Sequence, residues 1–108
     1  MIKKKKQSYK NQKMPFFSVI TVVKNNESKI KKTIDSILSQ TFKNFEYIII
    51  DGKSSDNSLQ IINRYKKNIK KIVSQKDKGI YDAMNKGLNL SVGKVILYVN
   101  SGDILTKN

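Results

Sequence analysis

The chain has 108 residues, enough for one domain with a single hydrophobic core. It contains no cysteine and no histidine, which excludes disulfides, Cys/His zinc sites, thiol nucleophiles and Ser-His-Asp triads within these residues. Its formal net charge of +14 at pH 7 favours anionic partners, and nucleic acid is the first such partner to consider.

The sequence predicts two segments: a basic tail over residues 1–14 and a folded domain over residues 15–108. Lysine fills positions 3 to 6, and no apolar stretch of the kind found in secretory signals follows Met1. We expect a disordered basic tail, with peripheral contact to anionic lipid headgroups as the alternative to a fully solvated tail. The absence of disulfides fits a cytoplasmic location. The expected location includes the inner face of the cytoplasmic membrane, which the basic tail could contact.

Four short apolar runs alternate with three amphipathic stretches in the rest of the chain. The runs predict strands over 16–23, 45–50, 69–74 and 95–99. Apolar residues at helical spacing predict helices over about 30–38, 57–67 and 80–90. Tyr81 and Met84 of the third helix are expected in the core. This βαβαβαβ order with short connections predicts an α/β fold, a parallel sheet with flanking helices.

Polar residues follow each predicted strand. They are Lys24-Asn25, Asp51-Gly52, Asp77-Lys78 and the run Asn100-Ser101-Gly102-Asp103. Parallel strands place these ends at one edge of the sheet, where open α/β sheets bind ligands. Each acid alone is also compatible with a simple Asx-turn or a helix cap, and the first turn, Asn25-Asn26, is expected to cap the helix that follows it.

The chemistry of these strand ends suits a nucleotide held partly by a divalent cation. Neither G-x-G-x-x-G nor G-x-x-x-x-G-K-[ST] follows a strand, which disfavours a dinucleotide-binding domain and a P-loop. Asp103, beside Asn100 and Ser101, offers the sparse oxygen set that Mg²⁺ or Mn²⁺ completes with substrate phosphates. Asp51 is a candidate acceptor for a base N–H or a ribose hydroxyl, and Lys78 is a candidate cation for the phosphates.

Several motifs together resemble glycosyltransferase family 2, the GT-A nucleotide-sugar enzymes. The resemblance covers about residues 17–105. It is carried by S-V-I-T-V-V-K-N-N from Ser18, S-I-L-S-Q-T from Ser36, Y-I-I-I-D-G-K-S-S-D from Tyr47, D-K-G-I-Y-D-A-M-N-K-G from Asp77, and N-S-G-D from Asn100. The Asp77 motif is similar to the signature of one bacterial branch, which acts in polysaccharide biosynthesis.

The resemblance implies a GT-A (Rossmann-like) fold that binds a nucleotide-diphospho-sugar, UDP-sugar first among them. It implies transfer of the sugar to a glycan or lipid-linked acceptor, with Mg²⁺ or Mn²⁺ as cofactor. The metal carboxylate is then Asp103. The implied nucleotide-sugar-binding residues are Val23, Asn25, Asp51, Lys78, Asn85, Asn100 and Ser101.

The sequence departs from the family pattern at three places. Lys24 stands where the family usually has an aromatic residue, and the usual Asp-x-Asp metal motif reads Asn-Ser-Gly-Asp. The family's second half, with the acceptor site and the general base, is expected beyond the C-terminus, so no catalytic residue is assigned. The expectation is therefore a truncated N-terminal half-domain that cannot transfer sugar alone, with an open sheet edge, an uncovered face and a tendency to self-associate.

Two alternatives from other classes stay open. One is a remnant or interaction module that keeps the fold without a ligand. The other is a basic nucleic-acid-binding domain. Arg64 is the only arginine, and surfaces that read bases favour arginine, so we expect no specific nucleic-acid binding. Metal-dependent binding of a nucleoside diphosphate would separate the glycosyltransferase interpretation from both alternatives.

Overall fold

A computed structural model describes residues 2–4 and 14–106 of the chain. The strands are β1 (Ile2–Lys4), β2 (Phe17–Val23), β3 (Phe45–Asp51), β4 (Lys71–Ser74) and β5 (Val95–Tyr98). The α-helices are α1 (Ile30–Leu38), α2 (Ser58–Asn63) and α3 (Ile80–Leu90), with a 3₁₀ turn at Lys66–Asn68. None of the helices in the described part of the chain is long and apolar enough to cross a membrane.

The strands form one sheet in the order β1-β5-β2-β3-β4. β2 pairs in parallel with both β3 and β5, and β3 pairs in parallel with β4. The predicted α/β architecture with a parallel sheet is therefore confirmed. The register aligns Val23 with Asp51 and Asp51 with Ser74, so the carboxyl ends of β2, β3 and β4 lie side by side.

Helices cover both faces of the sheet, so the expectation of an uncovered face was wrong. The core on one face packs residues of α1 and α2 against the sheet, among them Ile34 and Ile62. The other core includes Ala83 of α3 with Ile20 of β2. Alternate residues of a strand point to opposite faces, and a strand covered on both faces becomes apolar throughout. That is why β2 and β3 read as continuous apolar runs.

The first strand differs from the sequence prediction. Ile2–Lys4 pairs antiparallel with β5, with Ile2 opposite Leu97, so the β5 edge that we expected to be open has a partner. An edge strand presents unpaired backbone N–H and C=O groups, and these can bind a segment that has no apolar pattern of its own. The predicted disordered tail therefore fails at these three residues. Residues 5–13 of that tail lie outside the described residues.

The second helix is shorter than the predicted 57–67. It ends at Asn63, where the Arg64 and Tyr65 amides donate to carbonyls three residues earlier, those of Ile61 and Ile62. Such bonds tighten the last turn of a helix and close it. The 3₁₀ turn follows, and β4 begins at Lys71 rather than at residue 69.

Candidate functional site

A cavity of about 330 Å³ opens at the carboxyl edge of the parallel sheet. Its walls come from the end of β2 and the following turn, the loop after β4 with the first turn of α3, and the residues after β5. The lining residues are Val22, Val23, Lys24, Asn25, Asn26, Asp77, Gly79, Ile80, Ala83, Asn100 and Ser101. Three of the four predicted strand ends thus contribute side chains to a single cavity.

Asn25 ties the turn after β2 to the loop after β3. Its φ of 50° lies in the left-handed region, which asparagine tolerates better than most residues. Its Oδ1 accepts from the Ser55 amide at 2.7 Å and the Asp56 amide at 3.3 Å, and its own amide donates to Ser54 Oγ at 2.9 Å. The expected role of Asn25 or Asn26 as a helix cap was wrong, because α1 starts after Lys29 without a side-chain cap.

Asp51 is fully buried beneath this loop. Its carboxylate accepts from the Ser54 amide at 3.0 Å, from Ser54 Oγ at 2.5 Å and from Ser74 Oγ at 2.7 Å. A buried carboxylate requires such partners, and these link β3, its loop and β4. Through Ser54 the network continues to the Asn25 amide. Asp51 therefore positions the turn that lines the cavity, and its predicted contact with a nucleoside stays a prediction.

Asp77 lines the cavity although it is absent from the predicted site residues. Its Oδ1 accepts from the Gly79 amide at 3.1 Å, and a Cβ placed on Gly52 would lie 2.6 Å from its Oδ2. A side chain at position 52 would therefore require the Asp77 carboxylate to shift. Gly79 has φ +121°, a conformation that side chains rarely adopt. The sequence signal that could have identified Asp77 as a site residue is its position in the loop after β4, since other cavity residues also follow strands.

The first turn of α3 forms one wall of the cavity. Ile80 lines it and remains 49% exposed, whereas Tyr81 is 76% exposed. The expectation that Tyr81 lies in the core was wrong, while Met84 does pack against the core on the α3 face. Ala83 and Gly87 are the buried residues of α3, and Tyr81 lies about 200° around the helix from Ala83 at 3.6 residues per turn, so it is on the side away from the sheet.

Asn100 and Ser101 form the wall after β5. The Ser101 amide donates to the Val22 carbonyl at 3.1 Å, and its hydroxyl accepts from Asn26 Nδ2 at 2.9 Å. Within the described residues, Asn100 Oδ1 is the buried side-chain oxygen that has no hydrogen-bond partner. Buried polar atoms are rarely left without a partner, because the loss of hydration costs about 1–3 kcal/mol. Such an atom in a cavity wall is available to accept a hydrogen bond from a water or from a ligand.

Two carboxylates around this edge stay ionised to unusually low pH. The Ser58 hydrogen bonds hold the pKa of Asp56 below its usual range. The Lys78 amide, which donates to Asp82 Oδ2 at 2.9 Å, and Lys86, 3.6 Å from the same atom, lower the pKa of Asp82. In each case a hydrogen bond to the charged form is the main cause.

The structure separates the predicted site residues into two groups. Val23, Asn25, Asn100 and Ser101 line the cavity. The others are outside its lining: Asp51 is buried, and Lys78, Asn85 and Asp103 are exposed. The roles assigned to these residues stay predictions.

The donor atoms near β5 fit a sparsely coordinated hard cation. Among residues 2–4 and 14–106, no group of three or more Asp, Glu, His or Cys side chains could enclose a metal ion. Mg²⁺ keeps several waters and is often bound through one or two carboxylates plus substrate phosphates. The exposed Asp103 carboxylate and the unpartnered Asn100 Oδ1 suit that mode and do not suit a site made of protein ligands alone.

Comparison with known proteins identifies the family. The sequence pattern of glycosyl transferase family 2 matches residues 18–108, most of the chain. A "PGL/p-HBAD biosynthesis glycosyltransferase" from Mycobacterium bovis is 36% identical over 94 residues, which cover 84% of this chain and 37% of that protein. The chain therefore belongs to glycosyl transferase family 2, as its motifs predicted. Assignment to one bacterial branch through the Asp77 motif stays a prediction.

Solved structures agree with the family and confirm the GT-A fold. S. aureus TarS 1-349 in complex with UDP-GlcNAc superposes with a TM-score of 0.77 and 28% identity, covering 83% of this chain and 27% of that one. The mannosyltransferase PcManGT from Pyrobaculum calidifontis, in complex with GDP-Man and Mn²⁺, shares the fold at a TM-score of 0.75 and 20% identity. The superposed region covers 82% of this chain and 28% of PcManGT. The chain thus spans between a quarter and two fifths of these proteins.

Proposed function

We propose that residues 15–108 bind the nucleotide-diphospho-sugar donor, a UDP-sugar, of a glycosyltransferase that transfers the sugar to a glycan or lipid-linked acceptor. The observation that carries the proposal is the unpartnered Asn100 Oδ1 in the wall of a cavity at the carboxyl edge of the sheet. Ligands of open α/β sheets bind at this edge. Family membership and the UDP-GlcNAc bound to TarS support the choice of donor.

In this proposal each wall of the cavity has a part in holding the donor. The backbone at Val23 and the turn at Asn25 receive the nucleoside, with Asp51 holding that turn from below. Lys78 and Asn85, on the loop before α3 and on α3 itself, lie towards the phosphates. No described side chain is assigned as the general base.

A divalent metal, Mg²⁺ or Mn²⁺, belongs to the proposal. Asp103 and Asn100 would hold it together with the donor phosphates. Such an ion, when bound, would neutralise the diphosphate as it leaves. The Mn²⁺ in the PcManGT complex supports this part of the proposal at the level of the fold.

The test is a replacement of Asn100 by leucine, which has nearly the same shape and no polar atoms. Since Oδ1 has no partner within the described protein, Asn100→Leu should leave the melting temperature equal or higher. Affinity for UDP with Mg²⁺, measured by calorimetry, should fall about tenfold or more. Asn89→Leu makes the same replacement at an exposed position on α3. It is the matched control and should not change the affinity for UDP.

Three outcomes would count against this function. If wild-type protein that melts cooperatively binds no UDP with or without metal, the reading as a ligand-free interaction module takes its place. If Asn100→Leu binds UDP as well as wild type, the unpartnered oxygen does not carry the site. Binding to an oligonucleotide that weakens steeply with salt, without UDP binding, would favour the nucleic-acid alternative.

We also propose peripheral contact with the inner face of the cytoplasmic membrane. Support comes from the amino end of the sheet, where Phe16 and Phe42 are exposed. The ring centroids of Phe42 and Phe17 are 5.4 Å apart. Lys43 and Lys67 line a groove at the same end. Exposed aromatic rings beside lysines suit an anionic interface.

Co-sedimentation with vesicles tests the membrane contact. Binding should require anionic lipid and fall with Phe42→Ser. Tyr81→Ser, which removes an exposed aromatic ring at the opposite edge, is the control and should bind as wild type. Equal binding to neutral vesicles, or no effect of Phe42→Ser, would contradict the proposed surface.

A further inference from the structure

α1 carries a polar stripe beside its apolar one. Ile30, Ile34 and Ile37 pack into the core, whereas Thr33 and Ser36 lie on another side of the helix. Gln40 follows two residues after the helix ends and continues this polar side. Thr33 is fully buried and Gln40 is 2% exposed. Buried polar side chains need hydrogen-bond partners, and here all three find them in one distant segment.

That segment is the chain after β5, residues 102–105. Thr33 Oγ1 accepts from the Gly102 amide at 2.9 Å and donates to the Asp103 carbonyl at 2.8 Å. Ser36 Oγ accepts from the Leu105 amide at 3.0 Å, and Gln40 Nε2 donates to the Leu105 carbonyl at 2.9 Å. Three side chains of α1 and its C-terminal turn therefore hold four main-chain groups, about 70 residues away in sequence.

Two of the three side chains also bond main-chain carbonyls of α1 itself. Ser36 Oγ donates to the Thr33 carbonyl at 2.8 Å, and Gln40 Nε2 donates to the Ser36 carbonyl at 2.9 Å. These bonds restrict the rotamers of Ser36 and Gln40 and so reduce the entropy lost when they hold the segment. Thr33, Ser36 and Gln40 are called the α1 clamp below.

The clamp bonds the backbone of the segment, in which Asp103 and Ile104 are exposed and Leu105 packs against the core on the α1 face. Asp103 has an exposed side chain while its carbonyl is bonded to Thr33, and Ile104 is 58% exposed. Gly102, at φ +99°, makes the turn that brings the segment onto α1, with the Asp103 amide bonded to the Asn100 carbonyl at 2.9 Å. The clamp therefore fixes the backbone from which the Asp103 carboxylate extends.

We infer that Thr33, Ser36 and Gln40 are positioning residues, which act through the backbone of residues 102–105 to hold Asp103 in place for the metal and phosphates of the donor. This inference rests on the proposed function for the role of Asp103. The hydrogen bonds themselves do not depend on it. None of the three side chains lines the cavity, so their effect on the donor is indirect.

A purely structural role is the competing explanation, because buried polar networks also stabilise a fold. The two roles differ in what a variant changes. Loss of a clamp bond loosens the segment and can lower the melting temperature in either case. Only a positioning role also weakens metal-dependent binding, since ligand geometry must be held within about 0.5 Å to be productive.

The test compares two threonine variants of equal size and burial. Thr33→Val removes the hydroxyl that bonds Gly102 and Asp103. Thr21→Val, also at a fully buried position, removes a 2.8 Å bond to Tyr47 Oη and is the control for lost stability. Gln40→Met and Ser36→Ala are second variants of the clamp that remove its other contacts.

Amide hydrogen exchange is the first readout and needs no ligand. Exchange at Gly102 and Leu105 should speed up about tenfold in the clamp variants and stay unchanged in Thr21→Val. Exchange at the Val99 amide, bonded to Ile20 in the sheet, should not change in any of them. Unchanged exchange at Gly102 in Thr33→Val would overturn the inference.

Affinity for UDP in the presence of Mn²⁺ is the second readout. It should fall about tenfold in Thr33→Val and Gln40→Met, while Thr21→Val keeps wild-type affinity. A segment that loosens without any loss of affinity would overturn the positioning role. If the wild-type chain itself binds no UDP with Mn²⁺, the proposed function fails and the positioning of a metal ligand fails with it, while exchange still decides whether the clamp exists.

Discussion

Gly87 sets how closely α3 lies on the sheet, and replacing it should move or destabilise the helix that forms one wall of the cavity. A Cβ at position 87 would lie 2.5 Å from Ile20 Cγ2 and 3.3 Å from its Cδ1. Ordinary contacts begin near 3.4 Å, so the closest approach is about 1 Å too short. Ile20 is fully buried on β2, and its Cγ2 is attached directly to the Cβ, so it is not the free end of a flexible side chain.

The size of the effect follows from two opposing terms. Overpacking a well-packed core by one methyl group costs about 1–3 kcal/mol. Alanine favours the helix over glycine by about 1 kcal/mol. We expect Gly87→Ala to lose about 0–2 kcal/mol of unfolding free energy, which lowers the melting temperature of a domain of this size by up to roughly 16 °C.

Thermal and urea unfolding with a double-mutant cycle would measure this effect. Ile20→Ala removes both contacting atoms and should itself cost about 2–5 kcal/mol. Combined with Gly87→Ala, the loss should be at least about 1 kcal/mol smaller than the sum of the single losses, because the new methyl group fills the space that is left. Asn89→Ala, exposed on α3, tests helix preference alone and should be neutral or stabilising. A Gly87→Ala protein as stable as wild type, with additive losses in the cycle, would refute the reasoning.

Two further predictions concern stability. Asp51→Asn should cost about 1–3 kcal/mol in urea unfolding, because its carboxylate accepts three hydrogen bonds and an amide has only one oxygen; an unchanged urea midpoint would contradict the bracing role of Asp51. The Lys31 hydrogen bond at 2.7 Å lowers the pKa of Asp35 from its ordinary 3.8, so the stability from this pair is present above pH 3.8 and is lost as the pH falls through the lowered pKa. Since the pair is solvent-exposed, Asp35→Asn should lose about 0.3–0.5 kcal/mol near pH 7 and show a shallower fall in urea midpoint as the pH drops below 3.8, whereas parallel curves for the two proteins would count against the pair.

The fold was predictable where burial leaves a pattern in the chain. β2 and β3 are continuous apolar runs because helices cover both faces of the sheet, and α1 shows its buried side as Ile30, Ile34 and Ile37. Once the parallel order was predicted, the shared edge of the strand ends followed from topology alone.

Other features depend on atoms that are far apart in sequence. β1 forms because the edge of β5 offers free backbone groups, and Ile2–Lys4 has no alternating pattern that would show this. Asp77 reaches the cavity because Gly52 leaves room for its carboxylate, which is a matter of clearance between two loops. Tyr81 sits beside Ile80 of the predicted apolar stripe, yet the packing of Ala83 and Gly87 on the sheet places it on the outer side of α3.

The most direct test of the central claim is a calorimetric titration of UDP into the 108-residue chain, with and without Mn²⁺. Wild-type protein, Asp103→Asn and the control Asp35→Asn, which removes a carboxylate paired with Lys31 on α1, would be compared at equal ionic strength. The account predicts that UDP binding requires Mn²⁺, is lost in Asp103→Asn and is retained in Asp35→Asn. UDP binding that is indifferent to Mn²⁺ and to Asp103, or no binding by a cooperatively folded wild-type chain, would contradict it.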